Sequence, residues 1–110
     1  ITPSLSTIKA IITEGLPANS ETTTLTITTD CGLINLTANY IDENKNRGAF
    51  SFLGNNIGSG GTSIFSVKGI PGATPAGTYP IKITGTGDSC FGLATVNLKV
   101  ERVGSDWEEF

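Results

Sequence analysis

Residues 75–86, with the sequence PAGTYPIKITGT, join a proline–glycine turn to an alternating segment that ends at a second glycine turn. Tyr79, Ile81 and Ile83 share one parity, and residues of equal parity lie on one face of an extended chain. This pattern predicts a strand of an antiparallel sheet that has one face on a core and the other in water. Because proline cannot donate a ladder hydrogen bond, we expect Pro80 at the start of the strand or on a sheet edge.

Similar alternation recurs along the whole chain in short segments that glycine-, proline- and asparagine-rich turns separate. The predicted strands span residues 7–12, 22–29, 34–40, 49–53, 62–68, 78–84 and 94–100. Residues 54–61, GNNIGSGG, are predicted to be a flexible loop. About seven short strands without a helical pattern are typical of an all-β sandwich. At 110 residues the chain suffices for one core, so we expect the sandwich in residues 1–103 and a tail or linker in residues 104–110.

Tyr79 is the first large residue of its strand and directly follows the turn. This position predicts a tyrosine corner, in which the ring packs on the core while the hydroxyl bonds to the preceding connection.

Composition limits the function. The net charge of −3 is of the wrong sign for nucleic acid, and no apolar run approaches the roughly 20 residues of a transmembrane helix. Histidine is absent, which excludes Ser-His-Asp and Cys-His arrangements, so we expect no catalytic residues and no enzyme activity. A zinc site would need two more soft ligands than the two cysteines, and residues 42–48 do not have the spacing of a calcium loop. No metal or cofactor is expected.

Cys31 and Cys90 are predicted to form a disulfide, with two buried free thiols as the alternative. Parity places Cys31 inward at the end of the second predicted strand, while Cys90 lies in the hairpin before the last strand. Both cysteines therefore belong to one end of the sandwich. The cross-link would close 90 − 31 = 59 residues, which is worth about 4 kcal/mol on the chain-entropy model. A disulfide predicts an extracellular location, and the start at Ile1 suggests a processed chain or an excised domain.

The sequence contains candidate residues for two modifications of the chain itself. Asn35 opens the sequon Asn-Leu-Thr on the outward parity of its strand, so it is a candidate glycosylation site. Lys9 and Asn97 lie on the first and last predicted strands, and neighbouring strands would make them candidates for an isopeptide bond. Both have outward parity and no buried acid is apparent beside them, which disfavours this bond.

The sequence resembles the immunoglobulin-like modules of secreted and cell-surface proteins of bacteria and archaea. The similarity covers residues 3–101 and rests on these segments: PSLSTI at 3–8, LTIT at 25–28, INLTA at 34–38, TPAGTY at 74–79, GT at 85–86 and ATVNLKV at 94–100. The resemblance implies an immunoglobulin-like Greek-key β-sandwich of about seven antiparallel strands, used as a spacer, adhesion or assembly module. Antibody-like recognition is not implied, because the core tryptophan of antibody domains is missing and Cys90 comes too late after Tyr79.

Three functions follow as hypotheses. The leading one is an extracellular structural or adhesion module whose partner is a protein at the cell envelope or a neighbouring domain of the same chain. The alternative is a homo-oligomeric filament subunit, or a surface-layer anchor, that pairs the apolar residues 1–12 with a neighbour. The third is a carbohydrate-binding module, which needs exposed aromatic side chains. Most aromatic residues have core parity, which leaves Phe91, Trp107 and Phe110 as candidate partner contacts.

Overall fold

The computed structural model describes residues 1–28, 32–42, 47–88 and 91–103. Within them the chain forms eight strands and no helix, so none of the described residues belongs to a helix that could cross a membrane. The strands are β1 (Thr2–Pro3), β2 (Thr7–Thr13), β3 (Thr23–Thr26), β4 (Asn35–Tyr40), β5 (Ala49–Leu53), β6 (Thr62–Lys68), β7 (Gly77–Thr86) and β8 (Phe91–Val103).

The strands form two four-stranded sheets. The first sheet has the order β1-β3-β6-β5 and the second the order β2-β8-β7-β4. The chain passes repeatedly from one sheet to the other, and this strand order confirms the predicted all-β, immunoglobulin-like sandwich. One detail of the prediction was wrong: β2 and β8 are parallel, with Ile8 opposite Leu98, whereas every other pair is antiparallel. After β1 in the first sheet, the chain crosses to the second sheet, where β2 lies beside β8 and runs in the same direction.

Alternation determines the core. Ile8, Ala10 and Ile12 of β2 are at most 1% exposed, as their parity predicted, and the residues that alternate with them, Thr7, Lys9, Ile11 and Thr13, face water. The inward residues of most other strands are buried as well, whereas Phe50 and Phe52 of β5 remain partly exposed. The largest fully buried side chains are Phe65, Ile8, Ile12, Leu25, Ile27, Leu36, Ile70, Ile81, Ile83, Leu98, Val67 and Val96. Removing each such side chain from water contributes about 1.5–3 kcal/mol, so the sandwich interior is the main source of stability.

Pro80 lies four residues into β7, which is a central strand flanked by β8 and β4. Pro80 therefore lies in the first half of its strand, close to the expected start, and the alternative expectation of an edge strand was wrong. The last ladder pair between β4 and β7 is Tyr40 with Ile81, and the carbonyl of Pro80 accepts from Ile41, just beyond β4. Pro80 thus stands where its neighbour ends, so the missing N–H leaves no ladder bond of β4 unmade.

The tyrosine corner is confirmed. Tyr79 is 7% exposed, and its hydroxyl donates to the carbonyl of Pro75 at 2.6 Å. The same connection is held from the other side by Arg102, whose Nη1 donates to the carbonyls of Gly72 and Thr74, both at 2.7 Å. These bonds fix residues 72–79 as an ordered turn at one end of the sandwich.

Candidate functional site

The sheet edges are the places where this fold can bind another chain through its backbone. An edge strand presents N–H and C=O groups that have no partner in its own sheet, and such a row can template an added strand. The sandwich has four edges: β1 and β5 in the first sheet, and β2 and β4 in the second.

The β4 edge is closed over its first half. The N–H of Leu36 donates to Oδ1 of Asn55 at 2.7 Å, and Nδ2 of Asn55 donates to the carbonyl of Leu36 at 3.1 Å. Two residues earlier, Ile34 and Ile57 exchange both backbone bonds, at 2.9 and 3.0 Å. Residues 54–61, which were predicted to be a flexible loop, therefore cross to the second sheet and occupy this edge. In β4, the backbone N–H and C=O groups of Ala38 and Tyr40 remain on the open side of the edge.

The β2 edge is closed near its centre by Glu21. The N–H of Lys9 donates to Oε1 of Glu21 at 2.9 Å, and the N–H of Glu21 donates to the carbonyl of Lys9 at 2.8 Å. Glu21 thus satisfies both backbone groups of one edge residue, as Asn55 does on β4. We call Glu21 and Asn55 the edge clamps.

The β1 edge is only two residues long and one of them, Pro3, has no N–H. After Pro3 the chain leaves the first sheet, and Thr23 holds the crossing: its Oγ1 accepts from the N–H of Leu5 at 2.9 Å and donates to the carbonyl of Leu5 at 3.1 Å. Residues 1–12, predicted as a single strand-forming segment that could pair with a neighbour, are therefore divided between two sheets and are paired within their own chain.

The β5 edge differs from the other three. Its sequence, AFSFL, has no charge and no proline, and among the described residues no side chain or loop bonds to its outer side. Leu53 is 70% exposed, and Ile64 beside it on β6 is 39% exposed. On the inner face Phe50 and Phe52 remain partly exposed, although their ring centroids lie 6.0 and 5.0 Å from that of buried Phe65. This edge combines free backbone groups with incompletely covered apolar side chains.

A shallow cavity of about 340 Å³ lies at the end of the sandwich beside the tyrosine corner. Tyr40, Asp42 and residues 75–80 line it. The hydroxyl of Tyr40 donates to the carbonyl of Arg47 at 2.6 Å, and the Arg47 guanidinium carbon lies 5.8 Å from the centroid of the Tyr79 ring. The lining combines phenols, prolines and one carboxylate, and the hydrogen bonds of the Tyr40 and Tyr79 hydroxyls order the corner.

Burial raises the pKa of Tyr40 to about 12, which makes the stability of the protein depend on alkaline pH. An unfolded tyrosine titrates near pH 10, so between about pH 10 and 12 only the unfolded chain releases this proton. The stabilisation is complete below pH 10 and is lost as the pH rises towards 12. We expect the free energy of unfolding of the wild type to fall by about 1–2 kcal/mol more than that of Tyr40→Phe over this interval, measured by urea denaturation at each pH. Equal slopes for the two proteins would contradict this assignment.

The structure locates the other predicted site residues only in part. Asn35 begins β4, is exposed, and has Thr86 as its ladder partner. Phe91 begins β8 opposite Thr86, and its side chain is not described. Cys31, Cys90, Trp107 and Phe110 lie outside the described residues.

Lys9 and Asn97 lie on neighbouring strands, as their candidacy for an isopeptide bond required. The register, however, places Asn97 opposite Thr7 and places Lys9 opposite Lys99. The amine of Lys9 lies 3.9 Å from Glu101, and its side chain is 44% exposed. The lysine is therefore a solvated partner in a surface ion pair, and the dry surroundings that an isopeptide bond needs are not provided.

Asn55→Ala tests whether the clamp on β4 matters. The substitution leaves the N–H and carbonyl of Leu36 without their partners, and we expect the free energy of unfolding to fall by about 1–2 kcal/mol in urea denaturation. Asn56→Ala would not be a matched control, because Asn56 has a positive φ of 53°. Asn39→Ala is suitable, since Asn39 is exposed on the outer face of the same strand; it should change stability by less than about 0.5 kcal/mol.

Comparison with known proteins gives similarity of shape only. No protein-family model matches the chain, and no curated protein matches it. Among solved structures, a chimeric titin Z1Z2 that carries a KLER peptide from decorin has 16% identity and a TM-score of 0.45, over 93% of this chain and 94% of that one. A family 123 glycoside hydrolase from Clostridium perfringens has 15% identity and a TM-score of 0.46, over 93% of this chain but only 23% of the hydrolase. Neither similarity assigns a function, and the immunoglobulin-like fold follows from the strand order of the two sheets.

Proposed function

We propose that the chain is a non-catalytic structural or adhesion module of a secreted or cell-surface protein, and that it contacts other proteins at the cell envelope. The observation that carries this proposal is the contrast among the edges. The clamps Glu21 and Asn55 close parts of two edges, and Pro3 and its short strand limit a third, whereas β5 offers an uncharged, partly exposed apolar edge. Among the described residues, β5 is the edge left open along its whole length, and one such edge suits a specific protein contact.

The extracellular location rests on the proposed disulfide between Cys31 and Cys90. Next to these two positions, the Asp88 carboxylate oxygen Oδ2 lies 3.1 Å from where a Cβ on Gly32 would be, which supports the proximity of the two chain segments. We expect reduction to lower the melting temperature by at least about 5 °C. A variant with both Cys31→Ser and Cys90→Ser should melt at the same temperature with and without reductant. Identical melting of the oxidised and reduced wild type would remove the proposed bond.

The location and the partner class can be tested together on intact cells of the source organism. A membrane-impermeant amine cross-linker would be applied before lysis, and cross-linked peptides of this chain would be identified by mass spectrometry. We expect its lysines to be joined to envelope proteins or to neighbouring domains of the same protein. Labelling that occurs only after the cells are broken would contradict the proposal.

A subunit of an extracellular assembly is a second candidate, which the open β5 edge favours over pairing through residues 1–12. Carbohydrate binding has no comparable support: among the side chains that the structure describes, the exposed large apolar residues are all aliphatic. Phe50 and Phe52, the partly exposed aromatic residues among the described side chains, pack against Phe65 on the inner face, so they do not form a flat exposed platform.

A further inference from the structure

We propose that β5 is a homodimer interface, in which the β5 strands of two copies pair antiparallel about a two-fold axis through Ser51 and join the two first sheets into one eight-stranded sheet. This proposal rests on the proposed protein-contact function and names its partner as a second copy of this chain. It is an isologous contact, in which the same residues of both copies meet.

The sequence of β5 is complementary to itself in this arrangement. With Ser51 opposite Ser51 of the second copy, Phe50 faces the partner's Phe52 on the inner side, and Ala49 faces the partner's Leu53 on the outer side. Directly opposed residues lie about 4.5–5.5 Å apart, so each aromatic ring reaches its counterpart. The inner pairs would continue the ring cluster in which the centroids of Tyr40 and Phe50 are 4.9 Å apart.

Charge also favours a second copy at this edge. β5 contains no charged residue, so its self-pairing opposes no like charges even though the chain has a net charge of −3. The nearest cation on the adjoining strand is Lys68, which is opposite Ala49 in the ladder. In the two-fold arrangement the row through Lys68 continues to the partner's Leu53 and Ile64, which keeps the two Lys68 side chains in different rows.

The dimer would cover the apolar groups of β5 that the single chain leaves in water. Leu53, 70% exposed, would lie beside the partner's Ala49, and the open sides of Phe50 and Phe52 would be covered. The backbone groups on the outer side of β5 would acquire partners of their own kind. The clamped edges cannot form an equally long ladder, because Glu21 and Asn55 occupy the bonds of Lys9 and Leu36.

Sedimentation of the purified chain over a wide concentration range tests the proposal, with and without reductant. We expect the wild type to pass from one chain to two, and the double variant Ser51→Lys, Leu53→Lys to dimerise at least about tenfold more weakly, because two lysines would meet at the axis and two apolar pairs would be lost. The matched control Thr13→Lys, Thr37→Lys carries the same added charge on the outer face of the second sheet and should dimerise as the wild type does. It should be produced in a host that does not glycosylate, since Thr37 belongs to the sequon.

A wild type that stays a single chain at every concentration would overturn the proposal, as would a dimer that disappears in reductant or equal weakening by the control pair. Melting curves would verify that the variants are folded. None of these outcomes decides whether the module contacts envelope proteins, which the cross-linking on intact cells tests separately.

Ser51→Cys tests the register. Opposed residues at a two-fold axis are within disulfide range, so mild oxidation should link two chains through position 51, as peptide mapping would show. Leu53→Cys, whose partner position is Ala49, should form this link at least about tenfold more slowly. Equal linking at both positions would contradict the two-fold axis through Ser51.

Discussion

Replacing Gly72 by alanine should lower the free energy of unfolding by about 3 kcal/mol or more, because the new methyl group has no space. A Cβ at this position would lie 1.7 Å from the carbonyl oxygen of Gly15 and 2.4 Å from its carbonyl carbon. Both atoms belong to the backbone, so no side-chain rotation can relieve the clash. The β2–β3 connection and the β6–β7 connection would have to separate, and overpacking against a fixed backbone is among the most destabilising substitutions.

Gly58→Ala is the matched control for Gly72→Ala. No atom lies within 4 Å of a Cβ added at Gly58, so this loop substitution should change the free energy of unfolding by less than about 0.5 kcal/mol. Urea denaturation of the three proteins gives the comparison directly. Equal stability of Gly72→Ala and the wild type would mean that the two connections do not meet as described.

Thr23→Val should lower the free energy of unfolding by about 2 kcal/mol, although valine has nearly the same shape as threonine and favours strands. Thr23 is 1% exposed, and its hydroxyl bonds both the N–H and the carbonyl of Leu5, with Oγ of Ser4 at 3.3 Å. Valine would leave both backbone groups of Leu5 without this partner at the crossing between the sheets, and an unmade bond of a partly buried group costs about 1–3 kcal/mol.

The loss of stability in Thr23→Val should also be visible locally, at the N-terminal residues. We expect amide exchange at residues 1–5 to quicken in Thr23→Val, since the bond that ties the crossing to β3 is gone. Thr24→Val is the control: the neighbouring side chain points to the outer face and its hydroxyl takes no part in this network, so its stability should match the wild type within about 0.5 kcal/mol. Similar effects of both substitutions would attribute the loss to strand propensity or packing instead of to the hydroxyl.

Parity was sufficient to predict most of the core and the positions of seven of the eight strands, whereas β1 was not predicted. Ile81, Ile83 and Val96 are buried because alternate residues of a half-buried strand must face the core. Tyr79 forms its corner because a phenol that is buried at the end of the sandwich needs a nearby hydrogen-bond acceptor. These are local rules, in which neighbours in sequence carry the information.

The edge clamps could not be predicted in this way. Glu21 and Asn55 bond to residues 12 and 19 positions away, and their side chains have no periodic relation to those partners. Asn55 lies in a glycine-rich segment whose composition indicates flexibility, although its amide and Ile57 fasten the segment to β4. Which polar loop residue closes an edge depends on which loops lie next to that edge in the folded protein.

The division of the N-terminal residues was also missed, for a related reason. Residues 1–12 form a predominantly strand-forming segment, and the crossing is marked in it by Pro3 and by the change of parity between Leu5 and Ile8. The interior space offered by Gly85 decides the placement: a Cβ there would lie 2.7 Å from Cδ1 of Ile1 and 2.8 Å from Cγ2 of Ile34. A glycine more than 80 residues away thus makes room for Ile1 under the second sheet, which no local pattern can indicate.

Amide hydrogen exchange tests the contrast between closed and open edges most directly. We expect the amides of Lys9 and Leu36 to be protected at every protein concentration, since each donates to a clamp. The amides of β5 that face away from β6 should exchange quickly in dilute solution and become protected as the concentration rises and two β5 strands pair. Fast exchange at Lys9 and Leu36, or slow exchange on the outer side of β5 in a solution of single chains, would contradict the assignment of β5 as the open edge.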